Sequence, residues 1–195
     1  SEFGLIRARV RVEIAWLIAL SEEPAIAEVA RFGPHVRAGL DEASTSFSTA
    51  DAARVKAIGR TTNHDVKAVE YWLRERFASF AEVARVAEFI HFGCTSEDIN
   101  NLAHGITLAE ARRDILVPEL RDIAAALRAL AHAHAALPML ARTHGQAASP
   151  PTLGKELAVF GHRLLRQREA LAAQKIQGKI NGAVGNYNAH LAAFP

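Results

Sequence analysis

Apolar residues return every three or four positions through almost the whole of this chain, beginning with Ile6, Val10, Ile14 and Leu17. That interval sets side chains along one face of a helix, and nothing in the chain alternates long enough to suggest a sheet. Val66, Val69, Leu73 and Phe77 repeat the pattern. After position 96 the helices lengthen, and Leu120, Ile123, Leu127 and Leu130 follow the spacing of a bundle seam. Leu153, Leu157, Phe160, Leu164 and Leu171 carry it into the next helix. Two such helices expose stripes that they cannot cover alone, so further helices of the same chain or other subunits are expected against them. Pro118 should bend the long helix, because it lacks an amide hydrogen and its ring crowds the preceding turn.

The punctuation between helices is polar. Pro24 and Gly33-Pro34 interrupt the early chain, "STSFSTAD" (44–51) is expected to be a loop with Asp51 capping the next helix, and "RTTNHD" (60–65) is a second loop. The charge balance excludes several roles: 23 Lys and Arg against 21 acidic residues leave a net charge of +2, with no block of one sign. Neither a nucleic-acid partner nor a membrane partner is therefore expected. No apolar run reaches the roughly 20 residues of a membrane span. Cys94 is the only cysteine, so no internal disulfide can form, and a reducing, cytoplasmic setting is expected.

Four polar interruptions hold the residues with chemistry. In "RTTNHDVKAVEY" (60–71), Asn63 or Asp65 could cap the helix starting near Val66, and His64 would lie among free amides where an anion is favoured. In "EFIHFGCTSEDINN" (88–101), Thr95 or Ser96 fits an N-cap, with Glu97 and Asp98 in the first turn. The two adjacent hydroxyls also make a carboxylate cradle, since each can donate to an anionic oxygen. His91 and Cys94 supply two ligands where structural zinc takes four, so no metal is expected, and a buried Cys94 is read as inert. In "ARTHGQAASPPT" (141–152), His144 is either a solvated loop residue or a general acid. Thr143 and Gln146 could position a substrate, and Gly145 permits close backbone approach. "GKINGAVGNYNAH" (178–190) is either a turn-rich helix end or a glycine-lined wall against a ligand. It lacks the strand and the G-x-G-x-x-G order of a dinucleotide site, so no cofactor is expected. His132 and His134 lie two apart on a helix and do not converge on a metal.

In this order and at these separations, "TTNHDVKAVEY", "FIHFGCTSEDINN", "RTHGQ" and "GKINGAVGNYNAH" resemble the adenylosuccinate lyase family, within the fumarase and aspartase superfamily. "TSED" and "RTHGQ" are shared loosely across that superfamily, whereas "TTNHDVKAVEY" points to the adenylosuccinate branch. The resemblance implies an all-α fold, with an N-terminal helical domain at 1–93, the start of a central helix bundle at 94–195, and a C-terminal domain outside these residues. It implies a homotetramer whose active sites are shared between subunits, acting on small molecules. The implied reaction is β-elimination: adenylosuccinate gives AMP and fumarate, and succinylocarboxamide ribotide gives its carboxamide and fumarate. By the same resemblance His144 is the general acid and Thr95 with Ser96 binds a carboxylate. Asn63, His64 and Asp65 form the substrate-binding loop. Thr143 and Gln146 contact the succinyl group, and Lys179 and Asn181 contact substrate.

Two departures qualify what these 195 residues can do alone. Ala147 stands where the family often has proline. The chain contains neither a "GSSxMPxKxNP" loop, which carries the family's serine general base, nor an "SPxDxRY" segment. A fragment without lyase activity of its own is therefore expected. The competing expectations are a related lyase acting on argininosuccinate or fumarate, and a non-catalytic helical scaffold.

Overall fold

The computed structural model describes residues 1–195, and two compact units emerge. The first comprises Ser1–Thr107 with Gln177–Pro195, and the second Leu108–Ile176. No helix is long and apolar enough to cross a membrane.

The first unit is built on helix α1 (Glu2–Glu22), which Ser1 caps by accepting from the Gly4 amide. Ile6, Val10, Ile14 and Leu17 are all buried, as their spacing requires. They meet α2 (Pro34–Thr45), α3 (Thr49–Thr62) and α4 (Asp65–Arg76), whose Val69, Trp72 and Leu73, with Phe77 just beyond its end, complete the main core. A short α5 (Ala81–Arg85) and a 3-10 turn (Ala87–Phe89) lead to α6 (Ser96–Ala111). A smaller apolar cluster of Val12, Val66 and Ile99, with Cys94, Leu102 and Ile106 packed against it, fastens α6 to α1 and α4. The division anticipated between 93 and 94 thus lies inside this unit, because Ile99 and Ala103 are fully buried in it.

Local signals resolve more sharply than the sequence suggested. The loop at 44–51 contracts to three residues, of which Phe47 is buried. Asp51 does not cap α3. Ser48 does, accepting from the Asp51 amide while the Asp51 carboxylate accepts from the Ser48 amide, which is a reciprocal capping box. The loop at 60–65 contracts to Asn63 and His64.

The second unit consists of α7 (Val117–Ala133), a β-hairpin and α8 (Leu153–Ala173). A π turn (Arg112–Leu116) precedes α7, so the backbone widens just before Pro118 instead of continuing as α-helix. The helices run antiparallel, since Gly154 lies on Ala131 and Ala135 while Gly161, two turns later, lies on Leu127. Their contact uses small residues: Ala124, Ala131, Gly154 and Gly161 are buried. The expected seam is only partly covered by its own chain. Ile123 is 51% exposed, Leu130 47% and Phe160 59%.

One element contradicts the expectation of no sheet. Strands β1 (Ala141–Thr143) and β2 (Gln146–Ala148) pair antiparallel, Thr143 opposite Gln146, around a two-residue turn. His144 and Gly145 both have positive φ, 51° and 77°, as a type I′ turn demands. Three-residue strands are too short for alternation to register in the sequence.

Candidate active site

In the first unit the α3–α4 junction and the α6 N-terminus meet. Asn63 ends α3 in the left-handed conformation, where asparagine is tolerated, and its side chain is exposed. His64, not Asn63 or Asp65, caps α4: its Nδ1 accepts from the Lys67 amide at 3.1 Å. A nitrogen that accepts carries no proton, so the neutral ring holds its hydrogen on Nε2. That atom faces Ser96 Oγ at 3.4 Å, and Nε2–H is the donor. The cap therefore sets both the tautomer and the direction of His64.

Asp65 occupies the first position of α4 and pairs with Arg9 of α1 at 2.7 Å. Partial burial would raise its carboxyl pKa, but the Arg9 guanidinium outweighs that and holds it below the usual carboxylate range. Arg9 also donates through Nε to Asn100 of α6 at 2.9 Å, tying three helices together. A cleft of about 630 Å³ opens here, lined by Arg9, Lys56, Arg60, Asn63, His64 and Asp65 among others. Lys56 pairs with Glu2 and Arg9 with Asp65, leaving Arg60 as the cation without an ion-pair partner.

Thr95 and Ser96 stand half-buried at the start of α6, where free amides and the helix dipole favour an anion. Asp98 reaches back to accept from the Thr95 amide at 2.9 Å. The same carboxylate receives Lys179 Nζ at 2.7 Å and the amides of Asn181 and Gly182 at 3.2 and 3.1 Å. Asp98 is fully buried, yet these donors outweigh the desolvation and keep its pKa low. Asn101, one turn further, exchanges two bonds with the Lys179 peptide. Lys179 Nζ also donates to the Gly182 carbonyl. The polar ends of Lys179 are thus spent on the scaffold, while Asn181 keeps a buried Oδ1 without a partner.

Behind this turn, His91 Nδ1 lies 2.6 Å from Glu13, which is fully buried on α1. Cys94 is also enclosed: burial, then the charges of Glu13 and Asp98, push its thiol up to about 12. It is no thiolate nucleophile at neutral pH. Arg9, Glu13, Asn100 and Asn101 were not expected from the sequence, and Asp98 was expected only as a first-turn acid. Arg9 and Glu13 fall among the apolar positions that α1 buries, where a charge must find a partner.

In the second unit the hairpin collects the other three expected residues. Thr143 and Gln146 form its last pair, and His144 projects from the turn; all three are exposed. The Met139 amide donates to the Pro151 carbonyl and the Leu153 amide to the Leu137 carbonyl, anchoring the hairpin to the helices. Gly145 is required for its φ and not for space, since an added Cβ would meet nothing within 4 Å. His144 therefore stands at the first position of the two-residue turn that closes the hairpin.

A sequence model described as Lyase matches residues 2–195. The chain belongs to the lyase family. Within it, this lyase-family chain is 53% identical over all 195 residues to a protein named adenylosuccinate lyase from Vibrio cholerae serotype O1, 52% to one from Escherichia coli K12, and 44% to one from Legionella pneumophila strain Corby. It spans 43% of the length of each of these relatives. Among solved structures it is similar to a fumarate lyase from Mesorhizobium sp. BNC1, with a TM-score of 0.72 and 22% identity over 95% of this chain and 41% of that one. It is also similar to 3-carboxy-cis,cis-muconate lactonizing enzyme from Pseudomonas putida, with a TM-score of 0.70 and 25% identity over 100% of this chain and 42% of that one. The helical fold is thus similar to that of these two solved structures.

Proposed function

We propose that this lyase-family chain forms part of an enzyme that eliminates fumarate from adenylosuccinate, leaving AMP, and from succinylocarboxamide ribotide, leaving its carboxamide. The observation that carries the proposal is the 53% identity, across every residue of the chain, to a protein named for that substrate. In the elimination a base takes a proton from the carbon beside a carboxylate. The electrons close the carbon–carbon double bond, the carbon–nitrogen bond breaks, and an acid protonates the departing nitrogen. His144 is the acid, presented by a turn that limits its positions. Thr95 and Ser96 hold a substrate carboxylate with hydroxyls and helix-terminal amides, where charge builds as the proton leaves. Asn63, His64 and Asp65 bind substrate at the cleft, with the unpaired Arg60 favouring an anionic group there. Thr143 and Gln146 hydrogen-bond the succinyl group, and Lys179 and Asn181 contact substrate. The elimination as written needs neither a metal nor an organic cofactor.

The protein works in the cytoplasm as a homotetramer with sites shared between subunits; the uncovered stripe of Ile123, Leu130 and Phe160 supports assembly. The 195 residues alone carry the acid without the serine loop and are expected to be inactive. The test is fumarate release by the protein at the full length of its relatives, offered adenylosuccinate, argininosuccinate and malate in parallel. Fumarate from adenylosuccinate alone is the expected result; release from argininosuccinate or malate instead would reassign the substrate.

A further inference from the structure

Asp98 and Asn101 lie one turn apart on α6, and their partners lie about 80 residues away in the chain, in the segment Lys179–Gly182. A single oxygen, Asp98 Oδ2, accepts from the Thr95 amide at 2.9 Å and from the Gly182 amide at 3.1 Å. The other, Oδ1, accepts from the Asn181 amide at 3.2 Å and from Lys179 Nζ at 2.7 Å. Asn101 matches this one turn on, donating to the Lys179 carbonyl at 2.9 Å and accepting from its amide at 2.8 Å. The carboxylate has no exposed surface, so it is closed to solvent and to substrate. Four donors converge on it, and three of them are backbone amides whose positions fix the path of two loops.

We infer that Asp98 is a positioning residue for the elimination: through one buried carboxylate it sets the Thr95–Ser96 hydroxyl pair in register with the Lys179–Gly182 loop, with Asn101 as its second point of attachment. A helix cap alone would need only the Thr95 bond. The bonds to Asn181, Gly182 and Lys179 do nothing for the helix and serve to join the two walls. Without the carboxylate those amides are buried donors lacking an acceptor, and the loop relaxes away from the turn. A displacement of that kind acts on substrate binding and on the transition state through the hydroxyls, because preorganised donors lose effect when they move.

The inference rests on the proposed elimination, and a double-mutant cycle in the full-length protein separates the two. Asp98→Asn keeps the shape but replaces a charged acceptor by an amide; it is expected to lower kcat/KM for adenylosuccinate by about 100-fold, largely through KM. Ser96→Ala is the partner mutation. If Asp98 acts through the cradle, adding Asp98→Asn to Ser96→Ala costs no more than a few-fold further, since the geometry it protects is already spoiled. A merely structural Asp98 gives losses that multiply, and that result overturns the inference. Should Asp98→Asn fail to assemble, Asn101→Ala frees the Lys179 peptide while leaving the carboxylate in place, and the same non-additivity with Ser96→Ala is required of it. Wild-type protein that releases no fumarate from adenylosuccinate defeats the proposed function itself, whereas active wild type with multiplicative losses defeats only the role of Asp98.

Discussion

Gly154 and Gly161 occupy the same helix, both are buried, and the structure assigns them opposite responses to one added methyl group. At Gly154 a Cβ would press against the Ala131 carbonyl oxygen and lie 2.6 Å from Ala135 Cα and 2.7 Å from Ala135 N. All three are backbone atoms, so no side chain can turn aside, and α7 and α8 must part locally by about 1 Å to restore ordinary contact. Gly154 is the second residue of α8, where a better helix former contributes little, so overpacking dominates at a cost of about 1–3 kcal/mol. At Gly161 the added Cβ would sit 3.6 Å from the Leu127 side chain, which is ordinary contact. There alanine's helix propensity prevails, and stability should rise by about 0.5–1 kcal/mol. Thermal unfolding followed by far-ultraviolet circular dichroism should show Gly154→Ala melting lower by roughly 2–10 °C and Gly161→Ala melting higher by a few degrees. Equal shifts of the same sign would refute the close helix approach. Gly154 also donates to the His134 carbonyl at the base of the hairpin, so in the full-length enzyme Gly154→Ala should reduce turnover while Gly161→Ala does not.

Three further outcomes follow from the first unit. Burial pushes His91 down, but the Glu13 carboxylate outweighs it and raises the imidazole above its usual value. That stabilisation is complete below about pH 6.5 and is lost as pH rises through the raised value. Glu13, itself raised by burial, shifts stability in the same direction. Urea unfolding at increasing pH above about 6.5 should therefore show falling stability in the wild type and a flatter profile in Glu13→Gln, which removes the carboxylate that raises His91; equal slopes would contradict the pairing. Cys94, raised to about 12, should resist a disulfide reagent in the native chain and react on denaturation, and fast native labelling would count against its enclosure. Gly93→Ala should destabilise the chain by roughly 1–3 kcal/mol in denaturant titration, because φ is +71° and a Cβ would press on the His190 ring at 2.6 Å; a neutral result would contradict the close approach of His190 to this turn.

The long apolar periods were legible because helix packing is repetitive: every spacing residue of α1 and α4 lies in the core. The site was legible in its residue types and much less in its attachments. Preference alone favours Asn63 or Asp65 as the cap of α4, yet His64 takes it, since the chain turns left-handed at Asn63 and brings the imidazole over the Lys67 amide. The hairpin escaped notice because its paired residues number three a side and its turn is His-Gly, not the commoner Asn-Gly. Asp98 looked like a first-turn acid favoured by the dipole, which it is, but its other partners arrive from 81 to 84 residues onward and leave no local trace. Long-range polar contacts of this kind are set by tertiary packing, which a periodicity cannot report.

The most direct test of the central claim is fumarate release from adenylosuccinate by full-length protein carrying His144→Asn, beside wild type. Asparagine tolerates the left-handed turn, so the hairpin survives while the proton donor is removed. Turnover lower by about 10²–10⁴, with KM little changed, is the result the account predicts. Wild-type turnover in the variant would contradict it.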